Sequence, residues 1–197
     1  MLINKEKNLV EHVHGGLYKY NDGCINSRYM FSTVENDEGR GNKGSYAFRV
    51  KDGKMYQSGT LAEEKLDEVW DSVHTDNEAQ CNDSISGLWE MKEALYNDKD
   101  RTDDLKVIRQ LKMYQNGMFM VLIYERESND VVCLHGGSYT YNGEKLIESI
   151  HFATDGSGDI MDKTFTFTAT VKENSFCQEG KVLSTEIEEK WIRVQLE

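Results

Sequence analysis

The chain has 197 residues, of which 38% are hydrophobic and 29% charged, a balance that fits a folded globular protein and excludes a disordered one. Its net charge of −12 would repel the phosphates of a nucleic acid, and no apolar run approaches the roughly 20 residues that cross a bilayer as a helix. Proline is absent, which suits ladders of strands joined by tight Gly, Asn and Asp turns, because proline removes a ladder donor.

The N-terminal segment MLINKEKNLVEH lacks the apolar core of a signal peptide. It leads into HGGLYKYN at 14–21, a phrase that returns as HGGSYTYN at 135–142. The likeness extends outward. Tyr46, Phe48 and Val50 match Phe165, Phe167 and Ala169; Gln57 and Gly59 match Gln178 and Gly180; Trp70 matches Trp191. Residues 2–73 therefore read as a copy of 122–194, an internal duplication. RVKDGKMY holds a hairpin turn at Asp52-Gly53 within this first copy. Nothing in the first copy corresponds to residues 85–121, so it is either a partial unit or one whose front strands lie outside the sequence. The division read from the chain is a partial repeat over 1–75, a linker over 76–84 and a complete unit over 85–195.

The complete unit reads as strands throughout, near 87–95, 106–115, 118–126, 131–141, 144–153, 164–171, 175–181 and 186–195. KTFTFTATV alternates with the period of two that a half-buried strand requires. Asn116-Gly117 and Asn142-Gly143 each sit between apolar runs as two-residue hairpin turns. The polar stretch 96–105 reads as a loop with one helical turn. MFMVLIY at 118–124 is apolar on both faces and is expected to be buried on both sides. Hairpin following hairpin, without a helical crossover, gives antiparallel neighbours in sequence order and an up-and-down eight-stranded barrel; a β-sandwich would need longer connections. The roughly five strands of the first copy would leave an apolar face and open edges, which the complete barrel or a second chain is expected to cover.

Gly87-Leu88-Trp89 at the first strand of the complete unit resembles the G-x-W signature of lipocalins and their calycin relatives. Together with HGGSYTY, TFTFTA and EEKWIRV it is most similar to small bacterial lipocalin-like domains of unassigned function. The resemblance implies an all-β fold, with an antiparallel up-and-down eight-stranded lipocalin-like barrel at the C-terminus and a partial, roughly five-stranded copy at the N-terminus. It also implies that Trp89 seals one end of the barrel beneath Arg193. In the first copy the residue opposite Arg193 is Ser72, and the tryptophan has no counterpart. A periplasmic or secreted location is implied by the same analogy.

Parity places His135, Gly137, Tyr139 and Tyr141 on one face of their strand, the face expected to point into the barrel. Two readings follow. The phenols and imidazole line a pocket, with His151 joining them, or the tyrosines fill the lumen while the glycines let the strand coil. His12-x-His14 and Cys133-x-His135 place ligand-type side chains two apart on a strand, with His151 the third candidate in the complete unit. Its first-copy counterpart is Met30, a poor zinc ligand, so no metal and no cofactor are expected. The four cysteines, Cys24, Cys81, Cys133 and Cys177, form no zinc spacing and demand no disulfide. No catalytic motif is found, and the acidic runs AEEKLDE and TEIEEK read as solvated outer faces. The sequence thus points to a non-enzymatic binding protein for a small, partly apolar ligand, through His135, Tyr139, Tyr141 and His151. The alternative is a protein-interaction module with a packed lumen, whose partial repeat dimerises or binds a partner.

Overall fold

The computed structural model describes residues 2–4, 9–12, 14–32, 43–61, 64–71, 82–154 and 158–195. They form sixteen strands: β1 (Leu2–Asn4), β2 (Leu9–His12), β3 (His14–Asn21), β4 (Cys24–Ser32), β5 (Lys43–Lys51), β6 (Lys54–Leu61), β7 (Glu64–Asp71), β8 (Gly87–Tyr96), β9 (Lys99–Asp100), β10 (Ile108–Gln115), β11 (Met118–Glu125), β12 (Val131–Tyr141), β13 (Lys145–Thr154), β14 (Thr164–Lys172), β15 (Ser175–Val182) and β16 (Thr185–Arg193). The chain divides into two units, His12–His74 and Thr75–Glu197, the second joined by Leu2–Glu11.

In the second unit β8 pairs with β10, and β10 through β16 then pair in sequence order. β16 returns to β8, which closes an eight-stranded antiparallel barrel. β2 lies parallel to the end of β13, Leu9 opposite Ala153, with β1 beyond it. The polar stretch after β8 holds the short β9, paired back onto β8, and a 3-10 turn at Thr102–Lys106. On β11 both faces are buried, as its doubly apolar sequence implies: Phe119 and Val121 point inward, while Leu122 packs outside against Leu134 on β12.

The turns follow local chemistry. Asn116-Gly117 and Asp52-Gly53 both take positive φ, closing two-residue hairpins that match the twist of their strands. Asn142-Gly143 differs. There only Gly143 is left-handed, and Asn142 Oδ1 accepts from the amides of Glu144 (3.0 Å) and Lys145 (2.7 Å). A side chain that can bond the backbone two or three residues on replaces the second left-handed residue with a wider turn.

The first unit is a five-stranded antiparallel sheet, β3-β4-β5-β6-β7, in sequence order. It reproduces β12–β16 down to a bulge. Gly15 pairs with Phe31 and Gly16 with Tyr29, skipping Met30; Gly136 pairs with Phe152 and Gly137 with Ile150, skipping His151. The glycines are required by backbone approach, since a Cβ would lie 1.9 Å from Arg28 O at Gly16 and 1.9 Å from Ser149 O at Gly137. On the sheet face equivalent to the lumen wall, Tyr18 is 67% exposed, Tyr20 55% and Trp70 45%. No helix among the described residues is long and apolar enough to cross a membrane.

Candidate functional site

Alternation along the eight staves of the barrel sends every second side chain inward, and these side chains pack against one another. Tyr139 and Tyr141 are each 1% exposed. The Tyr139 ring meets Tyr114 edge-on at 4.8 Å, and the Tyr141 hydroxyl donates to Ala169 O at 3.2 Å. Phe176 stacks on Trp191 at 5.7 Å and abuts the edge of Trp89 at 5.0 Å.

One end of the barrel is built around the G-x-W segment. A 3-10 turn at Asp83–Ile85 buries Ile85, whose carbonyl accepts from Trp89 Nε1 at 2.8 Å. The Arg193 guanidinium lies 4.0 Å above the Trp89 ring. It donates to Ser86 O (2.6 Å), Ser84 O (3.0 Å) and Glu173 O (3.1 Å), tying two stretches of backbone to the ring it covers. Gly87, at φ +131°, leaves room for this, because a Cβ there would stand 2.4 Å from Arg193 Nη1.

Polar side chains enter this packing from four strands. Lys112 Nζ lies 3.3 Å from Glu148 Oε1 and 3.3 Å from Gln178 Oε1, and it sits 5.0 Å over the Trp191 ring. Tyr114 donates to Glu148, while Glu189 accepts from Gln178 Nε2 (2.7 Å), Tyr96 OH (2.9 Å) and Trp191 Nε1 (3.2 Å). Burial raises the Glu189 carboxyl above the usual carboxylate range, opposed by the Lys112 ammonium and the hydrogen bond from Tyr96. The Tyr114 phenol is raised well above its ordinary value, first by burial and then by the Glu148 charge. The acidic run TEIEEK is therefore not uniformly solvated. Glu189 shares the inward face with Ile187 and Trp191, and that spacing of two from Trp191 was the available signal. Lys112, two residues before Tyr114, and Glu148, between Leu146 and Ile150, carry the same signal.

The four residues expected to meet a ligand separate. His135 faces the lumen between Val121 and Ala153, half-buried, in line with Tyr139 and Tyr141. Burial, and then the Lys112 ammonium, push its imidazole down to about 4, so it is neutral at pH 7. His151 stands outside, exposed, as the extra residue of the bulge, 2.9 Å from Ser138 Oγ. A bulge re-aims the residue it inserts, which parity alone does not foresee. Cys133 Sγ lies 3.7 Å from His135 Nδ1. Cys24 and Cys177 are free thiols; Cys81, Ser72 and the side chains of His12 and His14 lie outside the described residues.

The first unit presents the same wall without its opposing strands. Gly16, Tyr18, Tyr20, Ile25, Ser27, Tyr29, Tyr46, Phe48, Met55 and Gln57 fall on the face equivalent to the lumen. They line a cleft of about 610 Å³, together with Leu17 and Arg28. Tyr29 and Tyr46 share a hydroxyl–hydroxyl bond of 2.9 Å, and Phe48 meets the Tyr20 edge at 5.7 Å. The Tyr46 phenol is pushed up to about 12 by burial and by Tyr29, with the Glu68 carboxylate adding to the rise. A smaller groove of about 290 Å³ runs on the outer wall of the barrel, among Glu93, Leu95, Glu179, Glu188 and Lys190.

No curated protein matches the chain in sequence. Among solved structures, a lipocalin-like protein from Bacteroides uniformis ATCC 8492 is similar to it, with a TM-score of 0.38 at 11% identity, over 56% of this chain and 99% of that chain. The barrel of this chain is a closed antiparallel one of eight strands, with Trp89 beneath Arg193. Residues 84–197, more than half of the chain, match the family model described as domain of unknown function (DUF4488), and the chain belongs to that family.

Proposed function

We propose that the protein is a non-enzymatic, lipocalin-like binding protein whose closed barrel is a packed scaffold. Its open five-stranded face takes the small, partly apolar ligand. The observation that carries this reading is the contrast between two copies of one wall. In the barrel, Tyr139 and Tyr141 are spent on internal packing; on the open sheet their counterparts Tyr18 and Tyr20 border a cleft of about 610 Å³. That volume falls within the range of roughly 300–1,000 Å³ typical of small-molecule pockets, and aromatic walls with a few polar groups are their usual lining. On this reading Trp89 and Arg193 close one end of the barrel, and His135, Tyr139 and Tyr141 serve its core.

The test is titration of the full chain with the neutral apolar dye N-phenyl-1-naphthylamine, read by dye fluorescence. Phe48→Ala and Tyr20→Ala each remove an aromatic wall of the cleft and are expected to weaken binding about tenfold, the loss of a partly buried ring. Dye affinity unchanged in both variants, or no dye binding by the parent chain, refutes the assignment.

A further inference from the structure

The open sheet keeps half of a cation site that the barrel completes. In the barrel, Gln178 and Glu189 are opposite one another on β15 and β16, as are Phe176 and Trp191. Gln57 and Glu68, and Met55 and Trp70, are opposite one another in the same way on β6 and β7. The side-chain geometry repeats as well: Trp70 Nε1 donates to Glu68 Oε2 at 3.1 Å, as Trp191 Nε1 does to Glu189 Oε2 at 3.2 Å. What the barrel corner holds is the ammonium of Lys112, on the Gln178 amide oxygen and over the Trp191 ring. Lys112 belongs to β10, a strand with no counterpart among β3–β7. Glu148, the carboxylate that Lys112 contacts in the barrel, is replaced by Ser27, so what the open sheet retains is Gln57, the Trp70 ring and Glu68, the counterpart of Glu189, which in the barrel lies beside Gln178 and Trp191.

We infer that the open face binds compounds carrying a primary ammonium on an apolar body. The ammonium lies at the Glu68–Gln57–Trp70 corner, where Lys112 lies in the barrel, and the apolar part runs over Met55 and Phe48 towards Tyr20. The inference rests on the reading of the open face as the ligand surface and adds the charge of the ligand. Carboxylate, amide oxygen and indole face are three groups that favour a cation. Strands about 4.8 Å apart put β5 about 10 Å from β7, the reach of an eight-carbon chain. The net charge of −12 draws cations towards the molecule. Arg28 also lines the cleft, on β4, with β5 and β6 between it and Glu68, and would draw an anion to the other side.

Calorimetric titration of the full chain with n-octylammonium, n-octanol and octanoate decides the matter. Octylammonium is expected to bind at least about tenfold more tightly than the other two, from a half-exposed ion pair plus a cation–π contact. Glu68→Gln, which keeps the side-chain shape, is expected to bring the three probes to within about threefold of one another, since only the ionic contribution is removed. Glu68→Lys, which supplies the missing ammonium from the chain, is expected to reverse the preference towards octanoate. Equal affinities in the parent chain, or a preference that survives Glu68→Gln, overturn the inference while octanol binding leaves the open-face reading standing. If none of the three binds, both fall. A ligand-free dimer that octylammonium does not dissociate also overturns it, because a second copy then occupies the face.

Discussion

Replacing Lys112 with methionine keeps the length of the side chain and removes its charge, leaving Glu148 and Glu189 together inside the barrel. The Lys112 and Glu148 side chains are each 5% exposed and lie 3.3 Å apart. At an effective dielectric constant of about 20 their attraction is about 5 kcal/mol, but stripping water from two ions costs several kcal/mol each, so the intact pair contributes little net stability. Losing only one partner is another matter: breaking a buried pair costs about 3–5 kcal/mol. The variant has one escape, which is to bind a proton on a carboxyl. For an ordinary carboxyl of pKa about 4.3 this costs roughly 4 kcal/mol at pH 7 and about 1.4 kcal/mol less for each pH unit below. Lys112→Met is therefore expected to cost about 3–4 kcal/mol at pH 7 and about 1 kcal/mol at pH 5. Urea unfolding in a Trp70→Phe background measures it, because the remaining indoles, Trp89 and Trp191, both report on the barrel. A loss below about 1 kcal/mol at pH 7, or one that does not shrink by pH 5, refutes the ion-pair account of the core.

Three further outcomes are expected. His135 titrates near 4 when folded, below its unfolded value of about 6.5, so the unfolded chain binds more protons between those values. Stability is then full above pH 6.5 and falls by about 2 kcal/mol by pH 5; His135→Gln should flatten that decline, and an unchanged slope in urea titrations at pH 7 and pH 5 would sink the assignment. Gly137→Ala drives a Cβ into Ser149 O and should cost about 2–4 kcal/mol by thermal unfolding, whereas Gly53→Ala, with open space around it, should cost only the strain of its left-handed turn, about 1 kcal/mol. Arg193→Met removes three charge-assisted hydrogen bonds and should lower barrel stability by about 2 kcal/mol, with faster amide exchange at Ser86 and Val194; protection equal to the parent would show that the arginine does not fasten this end.

Much of the fold was legible because strands and hairpins are written locally. Period-two alternation in KTFTFTATV located β14, and Asn116-Gly117 located the β10–β11 hairpin within two residues of its observed ends. The repeated HGG phrase gave the order of β3–β7, since both copies carry the same bulge at the same glycines. Gly87, Trp89 and Arg193 met as the motif implied, because the first and last strands of a closed barrel must be neighbours. The interior was harder to read. Parity says which face a residue takes but not whom it meets there. Lys112 reaches Glu148 and Gln178 across the lumen, from strands 36 and 66 residues away.

What the sequence determined alone, then, was the periodic part: strand positions, turn chemistry, the duplication and the antiparallel neighbours. Tertiary structure decided which charges are internal, that His151 turns outward at its bulge while His135 stays in, and that one copy of the wall is packed while the other is open. Those outcomes depend on curvature and closure, which bring distant strands together. A five-stranded sheet and an eight-stranded barrel can share the same alternating pattern, yet only the closed one has an opposite wall to bury it.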